Sequence, residues 1–151
     1  MDGSQWFLGD SMVKIRLDHI GIAVNDLDEG QHFWKLLGMI PELEDEHVKD
    51  QGVITRFIPI SSENQQKPAM IELLYPTGKD TPIGKFIDKR GIGIQQICFQ
   101  VDDLESMILH LLDSGITMID TQPRIGSKNC LIAFVHPKST GGVLVELSQK
   151  N

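Results

Sequence analysis

Along the 151-residue chain the apolar positions change period several times, and each change marks an element. Residues 14–24 alternate and are rich in β-branched side chains, the period-two pattern of a half-buried strand. Asp26 follows with Glu29 three positions on, a capping box that starts a helix. Leu27, Phe33, Trp34 and Leu37 supply that helix with an apolar face, and Gly38 closes it. Residues 53–60 and 69–75 read as two further strands, separated by the polar loop Ser61–Lys67. Ile83, Phe86 and Ile87 recur at helical spacing within Thr81–Arg90, which predicts a connecting helix packed on the sheet. In the second half Leu104, Met107, Ile108, Leu111 and Leu112 follow the i, i+3, i+4, i+7, i+8 rule of an amphipathic helix, and Gly115 ends it. Strands are expected near 116–119, 130–135 and 143–148, with Gly141-Gly142 turning the last hairpin.

The two halves repeat. Asp18-His19-Ile20-Gly21-Ile22-Ala23-Val24-Asn25-Asp26-Leu27 aligns with Gln95-Gln96-Ile97-Cys98-Phe99-Gln100-Val101-Asp102-Asp103-Leu104 at an offset of 77, and the same offset relates Gly38 to Gly115. Met70-Ile71-Glu72-Leu73 pairs with Leu144-Val145-Glu146-Leu147 near the end of each half. Each half therefore reads β-α-β-β-β. The division is an extension over 1–13, a first module over 14–78, the connecting helix within 79–92 and a second module over 93–149, the modules forming one domain.

Charge and composition narrow the function. The net charge of −7 and the lack of a Lys/Arg cluster with interleaved aromatics argue against nucleic acid. That total leaves an anionic small molecule open, because local charge governs its binding. No apolar run approaches the ~18 residues of a membrane span, and no basic-then-apolar leader opens the chain. The two cysteines, Cys98 and Cys130, lie in apolar runs and read as buried thiols of a cytoplasmic protein.

Strand alternation sorts side chains by face. His19 shares a face with Gly21 and Ala23, while Ile20, Ile22 and Val24 take the other. Gln96 lies with Cys98 and Gln100; Glu72 stands between Ile71 and Leu73, and Glu146 between Val145 and Leu147. Taken singly, each of the four polar residues is what a solvated sheet face carries. Their pairing by the repeat changes this, because a pseudo-twofold fold brings equivalent positions near its axis. Two carboxylates, an imidazole and an amide oxygen make an N/O donor set for Co²⁺, Mn²⁺, Ni²⁺, Fe²⁺ or Zn²⁺. The small residues beside His19 predict space above the sheet for a ligand.

The segments LDHIGIAVNDLDEGQHFWKLLGM, EDEHVKDQGV, MIELLYPTGKDTPIGKFIDKRGIGI, ICFQVDDLE and FVHPKSTGGVLVEL resemble the methylmalonyl-CoA epimerase family of the vicinal-oxygen-chelate (glyoxalase) superfamily. The likeness runs from about residue 16 to residue 148, and HPKSTGGVLVEL is its most specific part. It implies an α+β fold in which two tandem βαβββ modules form a curved mixed sheet around a central metal and ligand cleft. It places the metal ligands at His19, Glu72, Gln96 and Glu146, with Co²⁺ first among the divalent ions. It implies epimerisation of a 2-substituted malonyl-CoA such as methylmalonyl-CoA by α-proton transfer, with Glu146 and Glu72 as the proton-transferring groups. The expected partner is an acyl-CoA or related anionic substrate.

The chain departs from the family pattern at three places. GIHHIAFEV is usual where it reads Gly93-Ile94-Gln95-Gln96-Ile97-Cys98-Phe99-Gln100-Val101, so an amide replaces the expected ligand histidine at Gln96. The loop Pro123–Asn129 departs from PRPGAHG, and Thr55 stands where some epimerases carry an acid. These departures keep two alternatives open: a glyoxalase-type isomerase acting on another substrate, and a non-catalytic binding protein of the same fold. Pseudo-symmetric modules pair within one chain or by swapping between two, so a homodimer is one of two open arrangements. His32, His47 and His110 read as solvated and His136 as a turn support. Gly91-Ile92-Gly93 lacks the third glycine of a dinucleotide fingerprint.

Overall fold

The computed structural model describes residues 14–60 and 67–151 and the backbone of 7–8 and 11–12. Most of the predicted extension and of the loop Ser61–Lys67 lies outside the described residues. In chain order the elements are β1 (Phe7–Leu8), β2 (Ser11–Met12), β3 (Ile15–Ala23), α1 (Leu27–Leu36), β4 (Glu46–Val48), β5 (Val53–Pro59), β6 (Met70–Pro76), α2 (Pro82–Arg90), β7 (Gly93–Val101), α3 (Leu104–Asp113), β8 (Arg124–Ile125), β9 (Leu131–Val135) and β10 (Val145–Gln149). Each half thus has the β-α-β-β-β order that the repeat predicts. The predicted helix over Thr81–Arg90 is α2, with Thr81 as its N-cap and Pro82 in its first turn.

Two compact units partition the chain. In the unit of residues 18–97 the strands run β4-β5-β6-β3-β7, a mixed arrangement in which β3 and β6 are parallel while β4-β5 and β5-β6 are antiparallel. Both faces of this sheet carry a core. On one face Val24, Ile58, Ile71 and Leu73 are buried under Leu27 and Trp34 of α1. On the other, Ala23, Val53, Leu74 and Ile83 are buried together, and Val48 of β4 with Phe86 and Ile87 of α2 packs against them. Both faces being covered explains the near-continuous apolar run of β6. Helix α1 corrects one expectation: none of its residues is fully buried, and Phe33 and Leu37, assigned to its inner face, are both 59% exposed. Leu27 and Trp34 do the packing.

The unit of residues 1–17 and 98–151 contains the antiparallel pair β1-β2 and an antiparallel run of β10, β9 and β8. Its core is Val101, Leu104, Ile108, Met118, Ala133, Val135 and Leu147, with Met107 and Leu111 of α3 packed against it. The predicted 3.6 period thus holds, except that Leu112 at the helix edge is 37% exposed. Asp103 caps α3 by accepting a hydrogen bond from the backbone N–H of Ser106, which lowers its carboxyl below the usual range. Asp26 caps α1, its side chain accepting the backbone N–H of Glu29.

Two strand expectations change. Residues 116–119 form only a single bridge, Met118 opposite Val135, and the short β8 pairs with β9 instead. The acidic stretch around His47, to which the periodicity assigns no strand, contains β4, in which Glu46 and Val48 turn inward and His47 outward. A three-residue strand is too short for alternation to reveal it.

Candidate functional site

The site is built on the face of the 18–97 unit that α2 covers at one end. In the parallel register of β3 and β6, His19 stands opposite Met70, Gly21 opposite Glu72 and Ala23 opposite Leu74. In the antiparallel register of β5 and β6, Phe57 faces Glu72 and Thr55 faces Leu74. Pleating then sends His19, Gly21, Phe57, Thr55 and Glu72 to one side. All are buried, His19 and Glu72 each 3% exposed, which excludes the reading of a solvated sheet face.

Three of the four sequence-assigned site residues lie in this unit and meet. Nε2 of His19 is 2.6 Å from Oε2 of Glu72. The Gln96 amide reaches to 3.5 Å of the same Nε2 across the 77-residue repeat offset. The fourth, Glu146, lies on β10 of the other unit, 5% exposed and opposite Phe134 in register. Glu72 opposite Phe57 in one repeat is matched by Glu146 opposite Phe134 in the other.

Asp18 is a candidate site residue that the sequence reading left out. Its Oδ2 lies 2.7 Å from Nδ1 of His19. A carboxylate at Nδ1 accepts a hydrogen bond from that nitrogen, fixes the ring and aims Nε2 at Glu72 and Gln96, the arrangement that supports metal-binding histidines. The signal was present in the adjacent Asp18-His19 pair. The ring of Phe57 buttresses the imidazole edge-on, 5.9 Å between centroids and 86° between planes.

Gly21 resolves the expected space above the sheet differently. A Cβ built on Gly21 would stand 2.7 Å from Cγ of Gln96. The space that the missing side chain leaves is thus filled by Gln96, whose amide is thereby laid against His19. Gly21 sets the donor cluster rather than the ligand cavity.

The chemistry of this cluster fits a cation. An imidazole nitrogen and a carboxylate oxygen 2.6 Å apart share a hydrogen, and the same two atoms can serve as ligands to a metal ion. Nitrogen and carboxylate oxygen suit borderline divalent ions, and a half-turn of the Gln96 amide presents oxygen in place of nitrogen. The cluster is therefore a candidate metal site.

Behind it, on the opposite face of the sheet, Arg56 makes a clamp. Its Nε and NH2 donate to the two carboxylate oxygens of Asp45 at 2.8 Å each, and its NH1 donates to Asp28 of α1 at 2.8 Å. The Arg56 hydrogen bonds hold the Asp45 carboxyl below its usual range, and those same bonds raise the guanidinium further above its own. The clamp ties β5, the segment entering β4 and the first turn of α1 together.

His136 accepts the backbone N–H of Lys138 at 3.1 Å and supports its turn, as its position predicted. Cys98 is buried with its sulfur 3.4 Å from the Ser148 hydroxyl, and Cys130 is partly buried; both are thiols. No helix among the described residues is long and apolar enough to cross a membrane.

Comparisons with known proteins agree with the geometry. The family model of the glyoxalase/bleomycin resistance protein/dioxygenase superfamily matches residues 18–134. Human mitochondrial methylmalonyl-CoA epimerase is 34% identical over 148 residues, covering 97% of this chain and 77% of that protein. The structure of methylmalonyl-CoA epimerase from Mycobacterium tuberculosis superposes with a TM-score of 0.81 at 38% identity, covering 98% of this chain and 95% of that one. A Streptomyces coelicolor methylmalonyl-CoA epimerase variant in complex with 2-nitronate-propionyl-CoA gives a TM-score of 0.81 at 33% identity, covering 89% and 94%.

Proposed function

Because the chain belongs to the methylmalonyl-CoA epimerase family of the glyoxalase superfamily, a family of isomerases, we propose that it epimerises a 2-substituted malonyl-CoA, with methylmalonyl-CoA as the first substrate to test. The observation that carries the reading is the buried His19–Glu72–Gln96 cluster, oriented from behind by Asp18. A cluster so fully desolvated is costly to fold unless a bound cation or ligand compensates it.

We assign His19, Glu72 and Gln96 as residues that hold a divalent metal. Glu146 joins them on the strength of the repeat, which makes it the counterpart of Glu72. What the ion supplies when bound is Lewis-acid stabilisation of negative charge on the thioester oxygen. Co²⁺ heads the candidates, followed by Mn²⁺, Ni²⁺, Fe²⁺ and Zn²⁺. The chain's own residues do the rest. His19 is held in one orientation by Asp18 and Phe57, Gln96 is held by the absence of a side chain at Gly21, and the burial of all three excludes water. Glu146 is the proposed proton-transferring carboxylate at one face of the substrate, and Glu72 is the sequence's candidate at the other. The relatives favour this reading over a hemithioacetal isomerase or a binding protein, because those reported are epimerases.

Replacing Glu146 by Gln tests the assignment. Exchange with D₂O of the α-proton that Glu146 serves should fall by at least ~10²-fold, the scale of a lost general base, while circular dichroism stays native. Unchanged exchange would remove Glu146 from the mechanism.

A further inference from the structure

An epimerase must take a proton from one face of a carbon and return one to the other, so it needs two proton-transferring groups. In the 18–97 unit Glu72 is already engaged, with His19 Nε2 at 2.6 Å. Position 55 offers a hydroxyl, only 1% exposed, and no carboxylate. The register of the edge strand supplies another acid. Glu46 of β4 is the direct antiparallel partner of Thr55, and Val48 that of Val53. Directly paired residues project to the same side of a sheet. Val48 shows which side this is, because it packs with Ala23, Val53 and Leu74. Glu46, two residues away on the same strand, therefore projects to the face that carries Phe57, Glu72 and His19. It is half-buried, whereas His47 beside it is exposed.

We propose that Glu46 is a proton-transfer group of this site, serving one face of the substrate carbon and leaving Glu72 to hold the cation; this assignment rests on the epimerase reading. Glu46 lies two strands and one pleat repeat from Glu72, about 12 Å between Cα atoms from sheet spacings. Two inward-leaning glutamate side chains and a small acyl group fill that span. The far face of the sheet keeps it in place. Asp45, next to Glu46, is held in a two-pronged pairing by Arg56, next to Thr55, and Arg56 is anchored to α1 through Asp28. An edge strand of three residues would otherwise hold a side chain loosely.

In the step itself the Cα–H bond breaks and the proton passes to a carboxylate oxygen of Glu46. The bonding pair moves toward the carbonyl carbon, and the thioester oxygen becomes an enolate. A proton delivered to Cα from the opposite carboxyl restores the thioester with inverted configuration. Exchange with water then resets both carboxyls. The reverse reaction uses the same groups in exchanged roles.

The test uses the full chain loaded with Co²⁺, and both C2 epimers of methylmalonyl-CoA in D₂O. Glu46→Gln should lower deuterium incorporation into one epimer by at least ~10²-fold, leave that of the other within about threefold, and leave Co²⁺ affinity unchanged. Glu46→Asp should restore part of the loss, and the outward-facing His47→Ala should change neither epimer. Glu72→Gln, by contrast, should weaken Co²⁺ binding measured without substrate. Equal losses for both epimers, no loss at all, or a fall in Co²⁺ affinity in Glu46→Gln would each overturn the assignment while leaving the epimerase reading standing. A wild-type protein that exchanges neither epimer would instead remove that reading, and Glu46 with it.

Discussion

Nε2 of His19 and Oε2 of Glu72 stand 2.6 Å apart on parallel strands, with Asp18 at 2.7 Å on the other ring nitrogen. The imidazole is thus gripped between two carboxylates, one that orients it and one that shares whatever cation it binds. Removing the orienting carboxylate should weaken the site without removing a ligand. Asp18→Asn is expected to lower Co²⁺ affinity by about 10- to 100-fold, measured by isothermal titration calorimetry. Unaltered affinity would show that the ring is positioned by packing alone.

Gln96 is the residue at which the chain departs most clearly from its family's sequence pattern, and its amide is a weaker donor than imidazole. Gln96→His should therefore tighten Co²⁺ binding, by on the order of tenfold or ~1.4 kcal/mol. The same titration checks this. Weaker binding in the variant would mean that the pocket over Gly21 is shaped for an amide.

Gly21 is empty for the sake of Gln96. Gly21→Ala drives a methyl to 2.7 Å from Cγ of Gln96 and 3.1 Å from a Leu74 methyl. Overpacking of this kind costs about 1–3 kcal/mol, so the variant should melt earlier and bind Co²⁺ less tightly. Loss of stability with full metal affinity would show that Gln96 can leave the cluster.

The Arg56 clamp makes a pH prediction. Arg56 lowers the carboxyl of Asp45 in the folded chain. A depressed carboxyl contributes stability that is fully present above the ordinary carboxylate range and is lost as pH falls through its folded value. The Asp45 side chain is 32% exposed, so solvent screening keeps the contribution near ~1 kcal/mol or below. Asp45→Asn should remove that increment at pH 7 and flatten the acid limb of stability, measured by urea denaturation from pH 7 to pH 3. Identical pH profiles for the two proteins would show that the clamp carries no linkage.

Much of this was legible in the sequence, and the limits have physical causes. The repeat exposed both modules because equivalent positions must recur when the same unit folds twice. The helices were legible where caps and period agreed, as at Asp103 and Leu104. Helix α1 misled because Phe33 and Leu37 are apolar yet turned outward, and composition does not report which side of a helix meets a core. The apolar residues of β3 suggested one core face, whereas the structure buries both. What alternation could not supply was register. Only pairing across strands puts Phe57 beside Glu72 and Glu46 beside Thr55, and pairing between residues distant in sequence leaves no local trace. Asp18 escaped for a simpler reason: alternation assigns neighbours to opposite faces, yet its carboxylate reaches the ring nitrogen of the next residue.

The most direct test of the account is α-proton exchange of methylmalonyl-CoA in D₂O, followed by mass spectrometry, with protein stripped of metal and then given Co²⁺. The account predicts exchange that is lost on stripping and restored by the ion. Absence of exchange with every divalent ion tried, in a protein shown to be folded, would contradict it.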